Sequence, residues 1–449
     1  MAMASEPKAR DLKAAASAIF NAAIGAVDPQ RCVTRFLRLE AGQLHAGQKH
    51  YDLQRIQRVY LIGVGKASAV MARSVEMLLG ERIAQGLVIT KYGHGVPLKR
   101  CRLMEAGHPL PDENGVKAAD ALLDLVAGAG PDDLILCMIS GGGSALAPAP
   151  AHGTRLADKQ ATTRLLLGCG ATIGEINALR KHLSRIKGGG LCRHANGAHI
   201  LSLILSDVVG DALDVIASGM TTPDPSTFGD CLEILERYRL MARVPASVRS
   251  LLSEGHRGWV AETPKPGDAI FANACNRIVG SIADALSAAE NQARCLAFRP
   301  LILSSTIQGE AREVAQVLSA VAREAARFGR PVAAPCCILS GGETTVTLRG
   351  HGLGGRNMEL ALAAGISLAG ASKILLLSAG TDGTDGPTDA AGAFSNGTTV
   401  SRAQDIGLSA AQHLADNDSY RFFKHLGDLF VTGPTRTNVM DLQIILLDR

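Results

Sequence analysis

Two cations stand in settings where charge could do chemistry. Lys66 closes the run Gly63-Val-Gly-Lys-Ala67, at a turn from strand to helix where an ammonium can meet a phosphate or a carboxylate. Arg356 follows glycines in Gly352-Leu-Gly-Gly-Arg-Asn357 and opens an amphipathic helix. A cation at a helix N-terminus opposes the dipole, so its presence points to an anion held there. Neither side chain is expected to fill a core, so truncating either should cost turnover and leave folding little changed.

Glycine-rich segments tend to follow strand patterns: Gly65, Ser140-Gly-Gly-Gly-Ser144, Ser340-Gly-Gly-Glu343 and Ser378-Ala-Gly-Thr-Asp-Gly-Thr-Asp-Gly-Pro-Thr-Asp389. Glycine lets backbone N–H groups approach a phosphate, and in open α/β sheets ligands bind beyond the carboxyl ends of the strands. One such loop only permits a tight turn; several together favour an anion-handling cleft. Asp382, Asp385 and Asp389 offer hard oxygen ligands for Mg²⁺ or a general base, with Asx turns and helix capping as the alternative, above all for Asp389 ahead of a short helix 390–393. Asp207 is a further carboxylate after a strand. Asn177 to Gly190 reads as a basic helix whose Asn177, Arg180, Lys181, Ser184 and Lys187 share one face, either solvated or lining a phosphate cleft. His108 and His182 read first as a turn element and a packed histidine.

Familiar fingerprints fail. Tyr60 and Ala67 break the P-loop pattern, Ser68 stands where a dinucleotide loop needs glycine or alanine, and no GxSxG or HExxH occurs.

The elements that must position these residues alternate between short apolar runs and helical patterns. Strands are expected at 59–64, 87–90, 134–139, 200–205, 295–302, 336–339, 374–377, 429–432 and 442–447. Helices are expected at 67–79, 115–126, 229–241, 275–290, 311–328 and 357–368. This rhythm predicts an α/β protein of two domains: residues 1–255 with a doubly wound parallel sheet, and a smaller α/β domain, 268–449, beyond the polar stretch Glu254–Gly267. A strand–turn–strand hairpin at 338–347 makes the second sheet mixed; the last strand suits either sheet. At 449 residues with 47% apolar content, 4% aromatics and 49 glycines, the cores must be aliphatic. A net charge of +4 gives no basic stripe for nucleic acid, and no run spans a bilayer. Met1–Val27 reads as a soluble amphipathic helix rather than a signal. Ten cysteines without a CxxC read as buried thiols of a reducing cytoplasm.

Taken together, Gly63–Ser68, Gly107-His-Pro109, Ser140–Ser144, Asn177–Gly190, Ser206–Asp211, Leu339–Thr344, Gly354–Asn357, Ser378–Gly392 and Thr432–Thr435 resemble the class II glycerate kinases, with a C-terminal MOFRL domain. The resemblance runs through most of the chain. It implies ATP- and Mg²⁺-dependent phosphorylation of D-glycerate at the 2-hydroxyl, a Rossmann-like first domain, a cleft between domains, an essential lysine at Lys66 and an essential arginine at Arg356. Asp207 or Asp382 would hold the metal or orient the hydroxyl. The binding set is Gly65, Ser140, Gly141, Gly142, Gly143, Ser144, Asn177, Arg180, Lys187, Glu343, Asn357 and Asp385. Met220, Met358 and Arg436 depart from the family pattern. The alternatives are an NAD(P)H-dependent hydroxypyruvate reductase and a non-catalytic metabolite binder.

Overall fold

All six residues of Val59–Val64 are buried, as are all six of Leu134–Ile139. Strands apolar on both faces belong in the middle of a sheet covered on two sides. In the computed structural model, which describes residues 10–448, the two lie side by side and parallel, from Val59 opposite Leu134 to Val64 opposite Ile139.

The first half supplies β1 (Leu37–Glu40), β2 (Gln43–Ala46), β3 (Lys49–Asp52), β4 (Val59–Val64), β5 (Ile83–Lys91), β6 (Cys101–Ala106), β7 (Leu134–Ile139), β8 (His199–Leu205) and β9 (Ala274–Gly280). β1–β3 form a small antiparallel meander. The other six form one sheet in the order β6-β5-β4-β7-β8-β9, with parallel pairing from β6 through β8. Counted within the sheet this is 3-2-1-4-5-6, the doubly wound order, and it reverses between β4 and β7.

The second half supplies β10 (Arg299–Glu310), β11 (Cys336–Thr345), β12 (Ile374–Gly380), β13 (Gly392–Asn396), β14 (Leu429–Phe430) and β15 (Asp441–Leu447), ordered β10-β11-β15-β12-β13-β14. β10 and β11 are parallel and every other pair is antiparallel. The sheet is mixed, but not through the expected hairpin. Residues 336–345 are one strand, and β15 enters between β11 and β12 with the opposite direction. Gly342, at φ 150°, lies where any Cβ would strike the backbone of Ile307 on β10. The glycines mark a close approach there and not a turn.

The helices that matter for the sites are α1 (Leu12–Ala26), α2 (Ser68–Leu79), α3 (Glu113–Ala127), α4 (Leu156–Gly168), α5 (Ile173–His182), α6 (Ile282–Cys295), α7 (Ala311–Phe328) and α8 (Arg356–Ser367). Three expectations shift. Residues 274–280 are strand β9, so the helix expected at 275–290 begins only at Ile282. Cys295 ends α6 and does not open a strand. Residues 392–396 are strand β13, so Asp389 caps no helix; it accepts from the Tyr420 hydroxyl at 2.8 Å.

Two compact units emerge: Pro29–Val279, and the described residues through Asp28 together with those from Gly280 onward. α1 joins the second because Ala16, Ile19, Phe20 and Ala23 form one buried face, with Phe20 edge-on to Phe430 at 5.0 Å. The part of that expected helix before residue 10 lies outside the described residues. The stretch 254–267 lies inside the first unit, where Glu262 accepts from His182 at 2.7 Å. All ten cysteines are free thiols and eight are buried.

Candidate active site

The loops after β4 and β7 meet where the strand order of the first unit reverses. Gly65, at φ 139°, leaves β4; Lys66 N donates to Gly141 O at 2.9 Å, and Ala67 N donates to Ser140 Oγ at 2.9 Å. Ser68 is buried and donates to Gly65 O at 2.7 Å, locking the turn with a hydroxyl. A Cβ on Gly65 would overlap Ser140, and one on Gly141 would overlap the Asp207 carboxylate. One on Gly142, at φ 85°, would lie 2.9 Å from His108 Cδ2 and 3.3 Å from Lys66 Cγ. These glycines are there because neighbours press close, and the packing gathers Lys66, His108, Ser140–Ser144 and Asp207 into one place. Lys66 Nζ has no hydrogen-bond or carboxylate partner among the described residues.

Beside this loop opens a cavity of about 620 Å³ whose wall includes Gly142, Ser144, Lys159, Arg164, Arg180 and Lys187 and no carboxylate. Arg180 has no hydrogen-bond or ion-pair partner among the described residues. Lys187 is 3% exposed and donates to Ser144 O at 2.5 Å. Burial and the Arg180 charge pull its pKa down to about 7. Lys159 bridges Pro148 O and Leu183 O at 2.7 and 2.6 Å. Burial, then Lys66, Lys91 and His94, lowers His108 to about 4. Such a wall is short of negative charge, which an anionic ligand would supply.

The basic helix is shorter than its sequence suggests. α5 stops at His182, and residues 184–189 are an irregular turn in which Gly188 and Gly189 have positive φ. Its polar groups are not a solvated face: Asn177 and Lys181 are each 4% exposed. Lys181 pairs with Asp214 at 3.1 Å and Asp224 at 3.3 Å. Arg180 and Lys187 reach the cavity wall; Asn177 does not.

The second constellation surrounds the start of α8. Arg356 Nε and Nη2 donate to Asp441 Oδ2 and Oδ1 at 2.6 and 2.9 Å, and Nη1 donates to Glu343 at 2.6 Å. Asp385 accepts from Asn357 N at 3.1 Å and Met358 N at 2.8 Å, capping the helix. Burial, with Asp441 nearby, raises Asp385 to about 7 against those donors. Asn357 Oδ1 accepts from Ser378 at 2.7 Å. The anion implied by a cation at this helix start is therefore the chain's own. Asp441 is fully buried, so Arg356 carries structure as well as charge, contrary to the expectation that truncating it spares the fold. Glu343, its side chain 44% exposed, is the replaceable partner.

Asp207 and Asp382 lie in different units. Asp382 holds its own loop, accepting from Thr384 N and Oγ1 at 3.1 Å. Among the described residues no group of three or more His, Cys, Asp or Glu side chains is placed to hold a metal ion. Met220 and Met358 are core side chains, 1% and 0% exposed. Sequence reasoning missed Asp441, whose one signal is a carboxylate opening a largely apolar strand, and it missed the cavity residues of α4.

The chain matches a domain of unknown function, DUF4147, over residues 15–253 and the MOFRL family over residues 336–441. It is 40% identical to the glycerate 2-kinase of Pyrococcus horikoshii, covering 98% of both chains. It belongs to the glycerate 2-kinase family. Another relative, from Agrobacterium vitis, is 43% identical over 96% of this chain and 93% of its own, and carries the name "Putative hydroxypyruvate reductase". The crystal structure of the Thermotoga maritima glycerate kinase superposes with a TM-score of 0.85 at 40% identity, over 97% of this chain and 99% of that one. Family membership thus extends through both units and both constellations. No helix among the described residues is long and apolar enough to cross a membrane.

Proposed function

We propose that the protein transfers the γ-phosphoryl group of ATP to D-glycerate, at the 2-hydroxyl, giving 2-phosphoglycerate. The observation that carries this is the carboxylate-free cationic cavity beside Lys66, at the switch point of a doubly wound sheet. The names of the Pyrococcus and Thermotoga relatives support it.

Phosphoryl transfer asks a protein for positioning and charge neutralisation more than for covalent chemistry. Lys66, Arg180 and Lys187 would neutralise the phosphates, and amides of Ser140–Ser144 would cradle them. Mg²⁺ travels with the nucleotide and needs only one or two carboxylates besides the phosphates, which fits Asp207 against Gly141. Asp382 is the weaker candidate, its carboxylate already spent on Thr384. Arg356 would exchange Glu343 for an anionic group of the substrate while keeping Asp441, and Asn357 and Asp385 would hold the start of α8 in place. The reduced state of all ten cysteines fits a reducing, cytoplasmic setting.

The test is paired. ADP release is measured with and without D-glycerate, and NADH oxidation with hydroxypyruvate is followed in parallel. Phosphorus NMR assigns the product as 2- or 3-phosphoglycerate. Glycerate-dependent ADP release is expected. NADH oxidation without it would replace the proposal with the reductase suggested by the Agrobacterium name.

A further inference from the structure

The cavity beside Lys66 is far larger than a three-carbon acid requires, and only part of its wall is cationic. The rest is apolar. Leu110 is 75% exposed and Leu167 is 60% exposed, yet both line this one cavity, with Pro109, Pro111 and Pro148 completing the apolar stretch. Large side chains this exposed, gathered at the mouth of one pocket, mark a binding surface more readily than scattered surface leucines do.

α4 supplies the side wall. Gln160, Thr163, Arg164 and Leu167 stand at helical spacing and all face the cavity. Gln160 is oriented: its Nε2 donates to Pro111 O at 2.8 Å, and since that carbonyl can only accept, the amide nitrogen must face it. Gln160 Oε1 is thereby left as an acceptor beside an apolar surface, with no partner among the described residues. A flat apolar plate that carries an N–H₂ group on its edge fits this arrangement.

We infer that the apolar mouth is the seat of the adenine base, packed against Leu110 and Leu167 with its exocyclic amine donating to Gln160 Oε1. The phosphates then run to Arg180, Lys187 and the Ser140–Ser144 loop. Guanine would present a carbonyl to Gln160 Oε1, acceptor against acceptor, so the slot prefers ATP to GTP. The inference rests on the phosphotransferase proposal for its triphosphate, but the base contacts are testable without catalysis.

The experiment is calorimetric titration of ADP and GDP into wild type, Leu110→Ala/Leu167→Ala and Gln160→Leu, with KM for ATP and for D-glycerate measured beside it. Val317→Ala serves as control, an equally exposed apolar change in the other unit (62% exposed). The double variant should weaken ADP, and raise KM for ATP, by about tenfold or more, leaving KM for glycerate unmoved. Gln160→Leu should narrow the gap between ADP and GDP. The control should change nothing. Unchanged ADP affinity in the double variant overturns the inference even where glycerate phosphorylation is intact. So does a loss that appears instead in Arg193→Ala, in the neighbouring cavity of about 830 Å³. ADP binding that depends on both leucines in a protein with no glycerate-dependent turnover keeps the slot and removes the kinase proposal alone.

Discussion

Arg356→Ala separates a structural debt from a catalytic one. The guanidinium makes a two-point contact with Asp441, whose side chain is fully buried, and a one-point contact with Glu343, which water reaches. Truncation hydrates Glu343 at little cost but leaves the Asp441 carboxylate in the protein interior without a counter-charge. Orphaning one member of a buried pair costs about 3–5 kcal/mol. For a unit of this size each kcal/mol lowers the melting temperature by about 2–4 °C, so a fall of roughly 6–20 °C is expected. The sign with pH is also set. Burial raises Asp441, and in the wild type Arg356 opposes that rise. In the variant only the Asn357 side chain still opposes burial, so the carboxyl rises further and the folded state binds a proton that the unfolded state has released. Stability then falls as pH rises from the ordinary carboxylate value through the raised one, and acid narrows the deficit. Arg356→Ala/Asp441→Asn should recover much of the loss without recovering turnover. The assay is thermal unfolding by circular dichroism between pH 4 and 8. Trp259 fluorescence is the wrong probe, because the single tryptophan belongs to the other unit. A melting temperature within about 2 °C of wild type at pH 8, below the shift of a single kcal/mol, would refute the argument and return Arg356 to a purely substrate-facing role.

Lys66→Ala should behave in the opposite way. Turnover should fall by about 10²–10³, as for removal of one donor to developing charge, with no change in melting temperature, since its ammonium has no partner to orphan. Lys187, at about 7, is partly neutral at pH 8 and should regain its proton when a polyanion arrives, so ADP binding at that pH should take up protons, read as a buffer-dependent enthalpy. Its lowered value also means that the unfolded state binds the extra proton above pH 7, so this residue makes stability rise with pH there, and Lys187→Met should remove that slope. Gly141→Ala should lower activity through displacement of Asp207, measurable as a raised KM for ATP, and Gly168→Ala, with open space around it, should not.

How much could be read from the sequence followed from where each element's partners lie. β4 and β7 were legible because full burial on both faces leaves an unbroken apolar run. β10 lies at a sheet edge and is largely exposed, so its start was blurred into the end of α6. β9 looked helical because Cys275, Val279 and the alanines after it also satisfy a helical spacing. At the site, glycines announced themselves because a close approach excludes side chains locally. The Arg356–Asp441 contact spans 85 residues and leaves no local trace, so Arg356 looked like a free cation. The end of α5 at His182 was invisible for a related reason: beyond it Arg185 N donates to Ala149 O and Lys187 Nζ to Ser144 O, partners far away in the sequence that only tertiary packing supplies.

The central strand of the second sheet is made after every other strand of that sheet. β15 lies between β11 and β12 and pairs with both along its whole length, so before residue 441 is made the sheet exists only as two fragments with bare edges. α1, which covers the same unit, is made before the other unit and waits through some 250 residues of it for its docking face. Nascent chains should therefore hold a finished doubly wound unit and an unclosed one, exposed to chaperones until β15 emerges. Since Asp441 is the first residue of the closing strand, the arginine receives its counter-ion in the same step that completes the sheet. A chain cut short anywhere before that point carries neither the closing strand nor the counter-ion of Arg356.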